Sequence, residues 1–301
     1  MPVNALPQGV LSVHALPSDH HDGPWDHIIV PPGTKERLLA TALLTMRHGK
    51  RLATLPGLPH GLIVMAGPPG TGKTTLGRGL AQAAARALAP QGATTYVEID
   101  PHAFPSEMLG ESQRAITRLM TDTIPELAAR RPHTVVLVDE VESLAVRRSA
   151  ASFETNPVDV HRATDALLAG IDIVAGQHPG VLFVTTTNFS EAIDEAFLSR
   201  ADLVLTLPLP DEETVAAILR ASLRELAGIW PEVRPLAEDD TLVADLASRC
   251  TGWNGRRVRK LVLAALAQRL DVALDPARLT AADLLAAADA AGTGGALPEA
   301  A

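Results

Sequence analysis

The chain has 301 residues, enough for one large or two small domains, and 35 Asp+Glu against 26 Lys+Arg give it a formal charge of −9. With three Trp, one Tyr and five Phe, it lacks the stacking platforms and the basic surface of a dedicated nucleic-acid binder. One cysteine, Cys250, excludes an intrachain disulfide and a cysteine zinc cluster, and the histidines, His20 and His21 included, show no ligand spacing that would hold a metal.

Residues 1–24 carry Pro2, Pro7, Pro17 and Pro24 with little periodicity and read as an extended Pro-rich arm. From Thr34, Leu38, Leu39, Ala42, Leu43 and Met46 share one helical face. Short apolar runs follow, LIVMA at 62–66, TTYVEI at 94–99, TVVLV at 134–138, VLFVTT at 181–186 and LVLTL at 203–207. Continuous runs of that length suit strands buried on both faces of a parallel sheet, and the helical stretches between them, such as 73–88 and 112–130, suit its crossovers. The expectation is an α/β domain over 25–208 with a five-stranded parallel sheet. Strand signals stop after Pro208, so 209–291 reads as a small all-α domain and 292–301 as a flexible tail. No apolar run approaches the ~20 residues of a membrane-spanning helix and no signal-peptide pattern opens the chain, so a soluble cytoplasmic protein is expected.

The string GPPGTGKT at 67–74 follows the first apolar run and opens a helix, the context that a phosphate-binding loop requires. Its Gly67, Pro68, Pro69, Gly70, Thr71 and Gly72 let consecutive N–H groups and the helix start at Lys73, Thr74 and Thr75 face an anion. Lys73 can then reach the β- and γ-phosphates of ATP, and the Thr74 hydroxyl can ligate Mg²⁺. The run TVVLVDEVESL ends a strand at Asp139 and Glu140, which puts two carboxylates at the edge where ligands of such sheets bind. Asp139 is the expected magnesium-side group and Glu140 the group that polarises the attacking water. An acidic pair after a strand also serves as a helix cap, and it is the phosphate loop that favours catalysis here.

These residues resemble the AAA+ ATPases, with GPPGTGKT as Walker A and VVLVDE as Walker B. The resemblance implies a sensor-1 residue at Asn188, an arginine finger at Arg200 within IDEAFLSRAD, and a sensor-2 residue at Arg256 within NGRRVRKL. A surface Arg200 paired with Asp194 or Asp202, and a solvated basic face around Arg256, are the plain alternatives. DEVESL, NPVDVHRATDALLAGID and IDEAFLSRAD look like the pachytene-checkpoint ATPases, which remodel HORMA-domain proteins, and WDHIIVPPGTKERLL resembles that family's lead-in to the ATPase domain. By that likeness SEMLGESQR is the first pore loop, with Met108 and Leu109 where relatives present an aromatic, and 145–159 the second, with His161 beside it. The likeness implies a homo-oligomer, a hexamer by family, that opens a HORMA protein. In bacteria such ATPases accompany anti-phage systems in which a HORMA protein activates a cGAS-like nucleotidyltransferase, and the implied role is to disassemble that complex. A DNA-linked AAA+ protein, such as a transposition helper or clamp loader, shares every nucleotide motif, whereas a small-molecule P-loop kinase shares Walker A alone. The acidic balance weighs against the DNA-linked reading.

Overall fold

A computed structural model describes residues 6–54, 59–104, 111–143, 157–188 and 195–293. Among them the chain forms β1 (Val10–Leu16), α1 (Pro24–His27), α2 (Thr34–Leu52), β2 (Leu62–Ala66), α3 (Lys73–Leu88) and β3 (Thr94–Ile99). Next come α4 (Glu111–Arg118), α5 (Ile124–Ala128), β4 (His133–Val138), α6 (Pro157–Gln177), β5 (Val181–Thr187), α7 (Glu195–Leu198) and β6 (Leu203–Thr206). Six helices complete it: α8 (Glu212–Ala227), α9 (Arg234–Glu238), α10 (Asp240–Arg249), α11 (Gly255–Leu266), α12 (Leu270–Leu274) and α13 (Ala281–Thr293).

The sheet runs β1-β3-β4-β5-β2-β6. The five expected strands are present and pair in parallel. A sixth, β1, adds antiparallel to β3, with Val13 opposite Val97 and Leu16 opposite Thr94. The five-stranded expectation therefore gains an edge strand from within the Pro-rich arm, where burial on one side of a short segment leaves no long apolar run to read. β2 to β5 are buried throughout, which explains their unbroken apolar sequences.

The chain divides into two compact units, one of residues 1–28, 32–67 and 73–207, the other of 29–31, 68–72 and 208–301. In the first, one layer of the core joins Leu62, Val64, Val136 and Phe183 of the sheet to Ile116, Ile124, Leu168 and Ile171 of the helices. Leu38, Ala42, Met46, Leu76, Leu80 and Ala84 of α2 and α3 are buried as well. The segment 112–130 is not one regular helix: a π turn at Leu119–Thr123 separates α4 from α5, just before Pro125, which has no N–H to give to a helical ladder. In the second unit Leu219, Leu223, Leu246, Val258, Leu261, Val272 and Leu284 form a separate helical core. No helix among the described residues is long and apolar enough to cross a membrane.

Two substitutions probe this packing. In a free helix Gly49→Ala would stabilise by about 1 kcal/mol, yet a Cβ at Gly49 would stand 1.8 Å from the Pro179 carbonyl oxygen. Urea unfolding is expected to show Gly49→Ala less stable by about 2 kcal/mol or more. Burial lowers the pKa of His133 from its ordinary value, so the unfolded chain takes up a proton that the folded chain resists. That contribution leaves stability intact above the unfolded-state value of about 6.5 and removes it as pH falls below. Between pH 7.5 and 5, His133→Leu should lose less unfolding free energy than the wild type.

Candidate active site

In a parallel sheet all strands end on the same edge, and register sets which ends are neighbours. Ala66 of β2 lies opposite Thr187 of β5, and Thr185 of β5 lies opposite Val138 of β4. The residues that follow, Gly67, Asn188 and Asp139, therefore emerge side by side at the carboxyl edge, where ligands of open α/β sheets bind.

Gly67 leaves β2 with φ 147°, and a Cβ there would stand 2.1 Å from the Leu207 carbonyl oxygen, so the turn admits only glycine. Its N–H donates to Thr187 O at 3.2 Å. Lys73, the first residue of α3, is 6% exposed, and its Nζ donates to Gly67 O at 2.7 Å and to Asn188 Oδ1 at 2.9 Å. Thr74 Oγ1 donates to Asp139 Oδ1 at 2.7 Å, and Thr75 is exposed.

The Thr186 hydroxyl donates to the same Asp139 oxygen and accepts from Glu140 N at 3.1 Å. Glu140 has φ 56°, the sole non-glycine among the described residues in the left-handed region, a conformation costing about 1–3 kcal/mol. Its carbonyl accepts from Ser143 N at 3.2 Å and Ser143 Oγ at 3.0 Å. Its carboxylate takes Asn188 Nδ2 on Oε1 at 3.1 Å and faces His102 Nε2 from Oε2 at 3.2 Å. Asn188 N in turn donates to Glu142 Oε1 at 3.0 Å. Lys73, Thr74, Asp139, Glu140 and Asn188 thus form one hydrogen-bonded constellation. Sequence reasoning missed Thr186, His102 and Glu142, which enter only through strand register and turn geometry.

Arg200 follows the single-turn α7. Its Nε and Nη2 each donate to Asp172 of α6 at 2.9 Å, one to Oδ1 and one to Oδ2, while Nη1 donates to Ala196 O at 2.8 Å. Asp202 does not pair with it: its carboxylate accepts from the backbone N–H groups of His60 at 3.1 Å, Gly61 at 2.7 Å and Leu62 at 3.2 Å. Burial raises the Asp202 pKa, and those three N–H groups oppose the rise.

In the second unit Pro68 and Pro69 are exposed and Thr71 Oγ1 donates to Pro68 O at 3.0 Å. Gly70 and Gly72 have φ 80° and 96°, and a Cβ at Gly70 would stand 2.6 Å from the Asn254 side chain. Asn254 caps α11, its Oδ1 accepting from Arg257 N at 2.9 Å, and Arg256 N donates to Gly70 O at 3.1 Å. The Arg256 side chain is exposed at that helix start. Met108, Leu109 and residues 145–156 lie outside the described residues, as does the side chain of His161.

Thr186 links the Asp139 carboxylate to the Glu140 backbone N–H through one hydroxyl, a position that valine fills with nearly the same shape. Thr186→Val leaves Glu140 N and Asp139 each short of one partner, and such a loss costs about 1–3 kcal/mol. Steady-state assays are expected to show ATP turnover reduced about tenfold or more, with a smaller change in ATP affinity.

Residues 63–209 match the model of the "ATPase family associated with various cellular activities (AAA)". The chain is 41% identical over 284 residues to CD-NTase-associated protein 6 of Pseudomonas aeruginosa, covering 94% of this chain and 92% of that protein. It is 33% identical over 267 residues to the Pachytene checkpoint protein 2 homolog of Danio rerio, covering 82% of this chain but 62% of that longer protein. The solved structure of C. elegans PCH-2 superimposes with a TM-score of 0.74 at 26% identity, over 96% of this chain and 77% of that one. A chain of the E. coli MS115-1 HORMA:CdnC:Trip13 complex gives 0.73 at 20% identity, over 97% of each, a likeness of fold. Phosphate loop, carboxylate pair and near full-length similarity converge: the chain belongs to the AAA ATPase family, among the relatives of CD-NTase-associated protein 6 and the pachytene checkpoint proteins.

Proposed function

We propose that this ATPase works as a ring-forming remodeller, a hexamer by family, that opens a HORMA-domain protein and so disassembles its complex with a cGAS-like nucleotidyltransferase, restraining anti-phage signalling in the cytoplasm. The substrate assignment is carried by the similarity to a CD-NTase-associated protein across 92% of that relative's length. The chemistry is carried by the Glu140 carboxylate, which Asn188 holds on the same sheet edge as Lys73.

The donor set fits a magnesium nucleotide. Thr74 Oγ1 and Asp139 Oδ1, 2.7 Å apart, are hard oxygen ligands of the kind magnesium takes, and Lys73 is a buried cation at the start of α3. Thr74 and Asp139 would hold the ion, which would supply positive charge to neutralise charge developing on the phosphates. Lys73 and the backbone of 67–75 bind the phosphates. Glu140 accepts the proton of the attacking water, and Asn188 orients that carboxylate and the water together. Arg200 serves the site of a neighbouring subunit, and Arg256 acts as the second sensor from the start of α11. Met108 and Leu109 grip the substrate chain in the pore.

The test pairs ATP turnover with release of a peptide from a closed HORMA-domain protein. Glu140→Gln is expected to bind ATP and assemble normally but to turn over about 100-fold more slowly or worse, with no release. Normal turnover by that variant would refute the assigned role. Lys73→Ala should lose ATP binding itself. Release that proceeds without ATP, or turnover stimulated by DNA in a salt-dependent way and not by the HORMA protein, would overturn the substrate assignment.

A further inference from the structure

The fork-on-fork pairing of Arg200 with Asp172 points to a function for a carboxylate that no catalytic motif contains. Asp172 lies on α6 between Ile171, 1% exposed, and Val174, fully buried, so a packed helix fixes where its carboxylate stands. Both Asp172 oxygens are used, each by a different guanidinium nitrogen at 2.9 Å, and the Ala196 carbonyl takes a third at 2.8 Å. His60 Nε2 approaches the same Asp172 Oδ1 at 3.5 Å. α7, which precedes Arg200, is anchored by the fully buried Phe197. Arg200 is thus held from two sides, by α6 through its guanidinium plane and by α7 through its nearest turn.

A free arginine samples many rotamers, and a planar bidentate partner removes most of that freedom before any other contact forms. An arginine that must meet a charge on another subunit gains from such restraint, because misplacing a catalytic group by about 1 Å can cost 100-fold in rate. The guanidinium has five N–H donors. A carboxylate that engages Nε and Nη2 together sets the guanidinium plane.

Resting on the reading of Arg200 as a residue that acts in trans, we infer that Asp172 is its positioning residue, the side chain that fixes the finger's guanidinium plane for the neighbouring subunit's site. Asp172 then affects turnover next door and leaves its own subunit's nucleotide affinity alone.

The experiment measures ATP kinetics for Arg200→Ala, Asp172→Asn and Glu140→Gln, alone and in mixed assemblies. Asp172→Asn is expected to lower kcat about tenfold or more with KM for ATP within twofold of wild type. Mixing it with Glu140→Gln should raise turnover above either variant alone, because the Glu140→Gln subunits supply intact fingers to the intact sites of their neighbours. Loss of kcat without that rescue would mark Asp172 as merely structural and overturn the inference. Wild-type kcat for Asp172→Asn together with an inactive Arg200→Ala would overturn the inference and leave the finger intact. Wild-type turnover by Arg200→Ala would instead sink the trans-acting reading itself. Should Asp172→Asn fail to fold, Asp172→Glu keeps the ion pair but moves the guanidinium by one methylene; the same kcat deficit with rescue in trans is expected, and wild-type kcat overturns the inference.

Discussion

A lysine that is 6% exposed needs acceptors around its ammonium group, and the arrangement of the nucleotide edge follows from how the chain meets that demand at Lys73. One acceptor is the carbonyl of Gly67, which leaves β2; another is the amide oxygen of Asn188, which leaves β5. Two strand ends are thereby tied to the first turn of α3. A third enters by exclusion, since the backbone at Leu207, just past β6, closes on Gly67 so tightly that no side chain fits. The glycine that permits the loop and the lysine that needs it are six residues apart and solve one packing problem together.

The second carboxylate shows the reverse economy. Glu140 sits in a backbone conformation that a side chain disfavours, and the structure keeps it there with bonds to its N–H from Thr186 and to its carbonyl from Ser143. Strain at this position turns the chain sharply out of β4, so that consecutive carboxylates diverge. Asp139 meets Thr74, while Glu140 meets Asn188 and His102. Consecutive residues in an unstrained strand would also point apart, but onto the two faces of the sheet and not along its edge.

This division explains what the sequence could and could not disclose. The phosphate loop is contiguous and its requirements are local, so GPPGTGKT announces itself. The central strands are legible because burial on both faces forces unbroken apolar runs. β1 is not, because an edge strand with one covered face needs only Val10 and Leu16 at its ends to be buried. Thr186, His102 and Asp172 leave no local signal of the partners they meet. Their partners lie 47, 38 and 28 residues away along the chain, and threonine, histidine and aspartate are each unremarkable where they stand. The π turn ahead of Pro125 belongs to the same class, a rearrangement of the backbone ladder that leaves the apolar spacing of 112–130 readable as one helix.

The edge strand also bears on how much chain the fold requires. The family match begins at residue 63, after β1 and α2 have already been laid down. A chain shortened to that boundary would keep every nucleotide motif and lose the strand that covers Thr94–Ile99 from outside, together with Leu38, Ala42 and Met46 from the core. It would present a bare six-residue row of N–H and C=O groups on a valine- and isoleucine-bearing strand, a template onto which further chains add edge to edge. In the intact fold β1 covers that row, so the outer edge of the sheet is completed by residues that lie upstream of every nucleotide motif.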